Sequence, residues 1–338
     1  MKFHETIIIG AGPGGLACAL TLARQGRDVL LLEKKQHIGS KVCAGGVTWS
    51  GFLNRLPAEL IERTFSSQYI RSNWQETTIS SPSPMIATVN RLKMGQWQSS
   101  EASKAGVKIL TDTIVSNITD TEVTTNQGNF RYRYLVGADG STSMVRDFLG
   151  LPSQNIGVGI HYEVQGDFPR MEWHMQSNLL KSGYAWIFPH RDHASIGAYS
   201  CRQGLSAKKL HERLLLWANG QKIKLGKNKP RAAIINFDFK GWRFANRFLV
   251  GDAAGLASGL TGEGIFPAIL SGETVANTIM GEDRQGPELG RLLQKHHIHQ
   301  LVLKLAGSNR FTCTAIMELL VTALRLKIIP WHALEMGE

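Results

Sequence analysis

The sequence predicts an α/β fold with added α+β elements. Three observations carry that expectation. Residues 4–33 read as strand, glycine turn, helix and strand. A second apolar run, Phe248-Leu249-Val250, leads into another glycine-rich turn and a long helical stretch, and much of the chain between them alternates in a strand-like way.

Taken in order, Ile7-Ile8-Ile9 makes a short strand, Gly10 to Gly15 a turn, Leu16 to Gln25 a helix of small and apolar residues, and Val29 to Leu32 the next strand. Residues 50–100 are mixed, and Ser81-Pro82-Ser83-Pro84 breaks any regular element there. Alternation returns at Val107-Lys108-Ile109 and Tyr134-Leu135-Val136, the pattern of a β-meander. From 156 to 200 strands are favoured, with a turn at His190-Arg191-Asp192 between Ala185-Trp186-Ile187-Phe188 and Ser195-Ile196-Gly197. Leu210, Leu214 and Trp217 put a helical stripe on residues 206–217, and from Glu288 onward the chain reads as helix. His296, His297 and His299 cannot share one helix face and have no carboxylate at metal-ligand spacing. They read as solvated surface, and no metal site is expected.

A chain of 338 residues, 43% hydrophobic and 19% charged, can bury substantial cores and points to about two domains. No apolar run reaches the roughly 18–20 residues that cross a bilayer, and the start of the chain lacks a cleavable leader pattern, so cytoplasmic residence is expected. Cys18, Cys43, Cys201 and Cys313 are too scattered for a disulfide framework or a metal pair and read as free thiols. The net charge of +11 is uneven: residues 201–250 hold twelve Lys/Arg, from Arg202 through Arg247, against Glu212 and Asp238. Such a segment attracts phosphate-bearing partners, here anionic lipid at the inner membrane surface or a phosphate-bearing substrate, and a solvated basic face fits the same residues; nucleic acid is not expected.

Gly10-Ala11-Gly12-Pro13-Gly14-Gly15 is a G-x-G-x-x-G placed after a strand and before a helix, and Glu33 closes the next strand where a ribose-binding carboxylate belongs. Gly10 permits the tight turn, Gly12 lets a pyrophosphate approach the backbone, and Gly15 allows close helix packing. The helix N-terminus, at Pro13 and Gly14, supplies amides and positive dipole. This fingerprint alone does not separate NAD from FAD.

Val136-Gly137-Ala138-Asp139-Gly140-Ser141-Thr142-Ser143-Met144-Val145-Arg146 resembles the second fingerprint of the para-hydroxybenzoate hydroxylase-like flavoproteins, and Leu249-Val250-Gly251-Asp252-Ala253-Ala254 resembles their third. The resemblance implies FAD as cofactor and a Rossmann-like FAD-binding domain made of 1–150 and 241–286, a β-rich substrate domain at 151–240 and a helical tail at 287–338. It also implies that FAD contacts Lys34, Asp139, Gly251, Asp252 and the turn Gly262-Glu263-Gly264-Ile265 besides the first fingerprint and Glu33, with Asp252 on the ribityl chain. Arg91 resembles an arginine beside the adenosine half, although Gly95 stands where an aspartate usually follows.

Two further stretches resemble the geranylgeranyl reductase family: Lys41-Val42-Cys43-Ala44-Gly45-Gly46 its K-x-C-G-G-G loop, and Gly183-Tyr184-Ala185-Trp186-Ile187-Phe188-Pro189 its Y-x-W-x-F-P motif. Ala44 replaces a glycine, and Lys181 and Gly259 each replace a proline. The likeness covers the chain to roughly residue 285, and the shortened tail looks most like a compact bacterial branch associated with colicin M resistance. It implies an oxidoreductase in which reduced FAD passes hydride to a carbon–carbon double bond of an isoprenoid or other apolar lipid. Cys43, in the loop after the ribose-binding strand, is then a candidate proton donor or polarising group, while Tyr184 and Trp186, alternate residues on one strand, share a face and wall an apolar tunnel. An inert buried thiol and plain core aromatics fit the same residues. A flavin monooxygenase or halogenase is an alternative, since the aromatic stretch is close to G-W-x-W-x-I-P with Tyr184 for the first tryptophan; a non-catalytic flavin-loaded lipid-binding protein is another. With one dinucleotide fingerprint in the chain, NAD(P)H, a ferredoxin and a flavodoxin all stay open as electron donor.

Overall fold

Val29–Leu32 is apolar at every position, and all four residues are buried, as a parallel strand covered on both faces requires. It lies in an eight-stranded sheet of the computed structural model, which describes residues 2–48, 56–201, 204–226, 229–281 and 286–337. Lys2–Ile9 runs between Val29–Leu32 and Gly128–Gly137, parallel to both, and Arg247–Leu249 continues the parallel set beyond Gly128–Gly137. The expected meander is present as the antiparallel strands Val115–Ile118, Glu122–Thr125 and Gly128–Gly137. In register, Ile8 faces Leu31 on one side and Val136 on the other, and Val136 faces Phe248. Strands far apart in sequence therefore end together, and their carboxyl ends are where the three glycine-rich stretches and Glu33 begin.

The helix Pro13–Arg24 packs on Ile265–Ile279 at backbone contact. A Cβ on Gly272 would sit 2.2 Å from the Gly14 carbonyl oxygen, and one on Gly15 would sit 2.0 Å from that of Gly10. These glycines are required by the protein's own packing.

A seven-stranded sheet runs in the order Arg231–Asn236, Ile156–Gln165, His193–Cys201, Tyr184–Pro189, Glu172–His174, Ser67–Arg71, Glu76–Ser80. Its last two strands come from within the stretch 1–150, so that stretch contributes to both large sheets. Hydrogen bonds such as Tyr69 N to Met171 O (2.9 Å) fix this non-local pairing, which no local pattern announces. A three-stranded sheet of Gly46–Thr48, Ile86–Val89 and Ile61–Phe65 carries the cysteine loop.

The tail forms two helices, Pro287–Ala306 and Arg310–Arg325, packed on each other. The reading of its histidines as solvated is corrected here: His296 and His299 are 4% and 2% exposed, and His297 alone of the three is exposed. They lie on the inner face with Leu292 and Leu303, His299 Nδ1 is 2.8 Å from Ser258 Oγ, and burial pushes the His299 imidazole down to about 4, so it stays neutral. Among the described residues no cluster suited to a metal ion is present.

Glu318, buried on the second of these helices, accepts from Ser72 Oγ (2.7 Å), Asn73 N (2.9 Å), Trp74 N (3.2 Å) and Gln75 Nε2 (2.9 Å). It clamps the turn between Ser67–Arg71 and Glu76–Ser80 onto the tail. Glu318→Ala strands these donors and is expected to cost about 3 kcal/mol in urea unfolding; a loss below about 1 kcal/mol would show the clamp to be dispensable.

Candidate active site

The parallel strand ends open into a cavity of about 670 Å³ that extends beneath the seven-stranded sheet. Every residue expected to contact FAD lines it except Gly15, which lies behind the turn. Cys43, Tyr184 and Trp186 line it too.

At the glycine turn, Gly12 is the N-cap of Pro13–Arg24 and offers no side chain to its amides. A Cβ there would meet nothing closer than the Ala138 carbonyl oxygen at 3.9 Å, so this glycine, unlike Gly15, keeps space open in the cavity rather than in the packing. Bare amides, a helix N-terminus and open space fit a pyrophosphate. Glu33 is set beside them, its Oε2 accepting from Ala11 N (2.8 Å) and its Oε1 from Lys35 N (2.9 Å). Arg91 reaches the cavity from the start of Arg91–Lys104, its Nη1 3.1 Å from Met94 Sδ, and Lys34 is exposed at the rim.

The second and third fingerprints meet at Asp252. Its Oδ2 takes hydrogen bonds from Ser141 Oγ (2.9 Å) and Lys41 Nζ (2.8 Å), and its carbonyl accepts from Asn236 Nδ2 (2.9 Å). The Asp139 carboxylate is engaged locally, receiving Ser143 Oγ (2.5 Å) and Met144 N (2.7 Å) at the start of Met144–Phe148. Asp139 therefore shapes the turn, while Asp252 presents its carboxylate to the cavity. A carboxylate beside a glycine turn with φ of +72° at Gly262 provides acceptors and backbone amides for a polyol and a ring edge. The donor set fits a flavin dinucleotide.

The cysteine loop is braced from outside. His190 Nε2 is 3.0 Å from the Ala44 carbonyl oxygen, and His190 Nδ1 bonds the Glu62 carboxylate. The ring thus bridges the cysteine loop to Glu62. Its hydrogen bond holds the Glu62 carboxyl below the ordinary carboxylate value against the opposing effect of burial. Cys43, half-buried, accepts at Sγ from Gly45 N at 3.4 Å.

Aromatic rings close the inner end. Tyr184 stacks on Trp173 at 4.9 Å, Trp331 meets Trp173 edge-on at 5.6 Å, and Trp186 lies 6.0 Å from Phe188. Two polar tips are spent on the wall, Tyr184 Oη donating to the Thr261 carbonyl and Trp186 Nε1 to Ser195 Oγ (3.1 Å), whereas Nε1 of Trp173 and of Trp331 meets no protein acceptor. Burial raises the Tyr184 phenol, with Cys43 and Glu263 adding to the effect, so Tyr184 stays protonated.

Glu263 sits among them. Its Oε1 accepts from Thr48 Oγ1 (3.1 Å) and its Oε2 from Met336 N (2.8 Å), and burial pushes its carboxyl from 4.5 up to about 7. The end of the chain thus forms part of the cavity wall, with Trp331, Leu334 and Glu335 lining it and Lys295 Nζ tying it down through the carbonyls of His332 (3.4 Å), Glu335 (3.2 Å) and Gly337. Sequence reasoning singled out none of Lys41, His190 or this closing segment as site residues. The motif containing Lys41 was the one available signal.

Fold and site together define a flavoprotein oxidoreductase of the FAD-dependent class. Within that class the chain is geranylgeranyl reductase-like. A family model for an NAD(P)-binding Rossmann-like domain matches residues 8–65. The chain is 25% identical over 312 residues to digeranylgeranylglycerophospholipid reductase of Methanococcus vannielii, covering 83% of this chain and 78% of that one. It is 26% identical over 302 residues to geranylgeranyl diphosphate reductase of Rhodobacter capsulatus, covering 84% and 76%. A geranylgeranyl bacteriochlorophyll reductase-like protein from Thermoplasma acidophilum superposes with a TM-score of 0.82 at 20% identity, over 99% of this chain and 95% of that one. The likeness in fold does not stop near residue 285 but takes in the helical tail.

Proposed function

We propose that the protein reduces carbon–carbon double bonds of an isoprenoid or similarly apolar lipid. The observation that carries this reading is the aromatic inner end of the cavity, where Tyr184 and Trp186 spend their polar tips on Thr261 and Ser195 and Cys43 and Glu263 line the same space. Two relatives named for geranylgeranyl substrates support it.

In this reading, residues 1–150 and 241–286 hold the cofactor, except that the strands at 67–80 join 151–240 in walling the substrate, and 287–338 closes the inner end. The amides after Gly12 hold the pyrophosphate, Glu33 the adenosine ribose with Arg91 and Lys34 nearby, and Asp252 the ribityl chain, with the 262–265 turn against the ring edge. The bound flavin supplies hydride. Tyr184 and Trp186 position the apolar chain and exclude water, and Cys43, held by the His190–Ala44 brace, delivers the proton that balances the hydride on the neighbouring carbon. NAD(P)H, a ferredoxin or a flavodoxin supplies the electrons.

Anaerobic reduction of the holoprotein followed by challenge tests this directly. Geranylgeranyl compounds are expected to reoxidise the flavin with saturation of a double bond. Rapid reoxidation by oxygen with a hydroxylated or halogenated product marks the monooxygenase alternative instead, and a flavin inert to every reductant marks a lipid carrier. Residence in the cytoplasm with peripheral contact at an anionic membrane suits a lipid substrate. No helix among the described residues is long and apolar enough to cross a membrane.

A further inference from the structure

The helical tail turns an unusual surface outward. On Arg310–Arg325 the inner stripe is Cys313, Met317, Glu318, Val321 and Leu324, and the opposite stripe carries Phe311, which is 87% exposed, and Leu319, continued by Leu326 just past the helix. Ile328 beyond it is 70% exposed. The preceding helix exposes Leu301 and Leu305 at its end, so apolar side chains flank both sides of the hairpin turn. The Glu318 clamp adds Trp74, 76% exposed, from the neighbouring turn.

Interspersed among these are the exposed cations Lys304, Arg310, Arg325 and Lys327. Between Leu289 and Leu334 the sequence has a single carboxylate, Glu318, and it is buried and saturated with donors. On the hairpin, exposed aromatic and aliphatic side chains with cations and no outward acid make a surface complementary to anionic lipid headgroups over an acyl boundary, and the exposed Glu76 near Trp74 is engaged by Tyr69 Oη. The basic segment 202–247 serves this less well. Among its described residues Arg231 pairs with Glu163 (2.9 Å), Lys240 with Asp238 (3.3 Å) and Arg247 with Asp120 (2.6 Å).

The same helix faces the substrate side. Met317 and Leu320 line a small second cavity with Trp173, Tyr184 and Leu334, residues that also wall the main one. We propose that the C-terminal hairpin, with Trp74, is the surface by which this protein docks on an anionic lipid bilayer. The choice of occupant rests on the reading of the substrate as a lipid, but docking is measurable without turnover.

The holoprotein is sedimented with vesicles of phosphatidylcholine alone and of phosphatidylcholine with phosphatidylglycerol. Binding is expected to the anionic vesicles, weakening with salt. Phe311→Ser with Leu319→Ser should lower vesicle affinity about tenfold or more. Lys304→Gln with Arg325→Gln and Lys327→Gln should abolish the preference for phosphatidylglycerol. Lys208→Gln with Lys209→Gln, on the helix Ala207–Gly220, should change neither. Brominated acyl chains should quench a tryptophan signal that Trp74→Phe removes. Wild-type protein left in the supernatant, loss caused instead by the Lys208 pair, or a dimer that the Phe311 variant dissolves without any vesicle binding, would each overturn the proposal. Reduction of a short, detergent-dispersed isoprenoid should persist in all these variants, which separates failure of docking from failure of the proposed reaction.

Discussion

Gly12→Asp is expected to yield a folded protein that is colourless. Gly12 has φ of −74° and ψ of 176°, ordinary extended backbone, and a Cβ there approaches no protein atom closer than 3.9 Å. Aspartate is also a preferred N-cap and interacts well with a helix N-terminus, so the helix Pro13–Arg24 should form at least as readily. The same carboxylate would occupy the space and satisfy the amides proposed for the pyrophosphate, and its charge repels phosphate. The loss should be at least about 10²-fold in flavin affinity, since each 1.4 kcal/mol is tenfold. Flavin-fluorescence titration beside a thermal melt reads both effects. Gly15→Ala is the contrast: its Cβ would lie 2.0 Å from a backbone oxygen, and folding itself should suffer. A Gly12→Asp protein that bound FAD as tightly as wild type would move the pyrophosphate elsewhere.

That contrast shows how far local pattern reaches. The βαβ opening was legible because strand, turn and helix are neighbours in sequence, and the third glycine stretch because Phe248-Leu249-Val250 carries the same strand-then-turn pattern. What lies at Asp252 was only partly legible: its Oδ2 is held by Ser141 and by Lys41, 211 residues away, and no spacing rule joins a lysine in one loop to an aspartate in another. The His190 brace on Ala44 spans 146 residues and is equally silent in sequence. The tail was misread for a related reason. Its histidines look polar, but His296 and His299 share a face with leucines, and only the partner on that face, including Ser258, decides that the face is buried. Whether a stripe meets protein or solvent is a tertiary fact. The hairpin's other side, Phe311 and Leu319, shows the converse.

The proton is where the proposed chemistry is most exposed to test. Hydride added to an unactivated double bond leaves a carbanion unless a proton arrives on the adjacent carbon, so the donor's removal should cost more than any binding contact. Cys43→Ser should retain FAD and its reduction by the electron donor while substrate reduction falls by on the order of 10²-fold or more. Glu263 sets the pH dependence. Burial lifts its carboxyl to about 7, so below that value it is an acid on the wall of the cavity that Cys43 also lines, and above it a carboxylate. Substrate-dependent reoxidation of the flavin should therefore decline as pH rises through about 7, and Glu263→Gln should remove that inflection. Stability gives an independent reading of the same group. Between 4.5 and about 7 the folded protein keeps a proton that the unfolded chain has released, so Glu263 makes the fold less stable as pH climbs through this window, and Glu263→Gln should flatten that slope in urea titrations. If the stability slope flattens but the rate profile does not, Glu263 is a buried acid that keeps the tail in place through Met336 and supplies no proton. If Cys43→Ser reduces substrate at the wild-type rate, the thiol is inert and the proton must come from another group on the cavity wall.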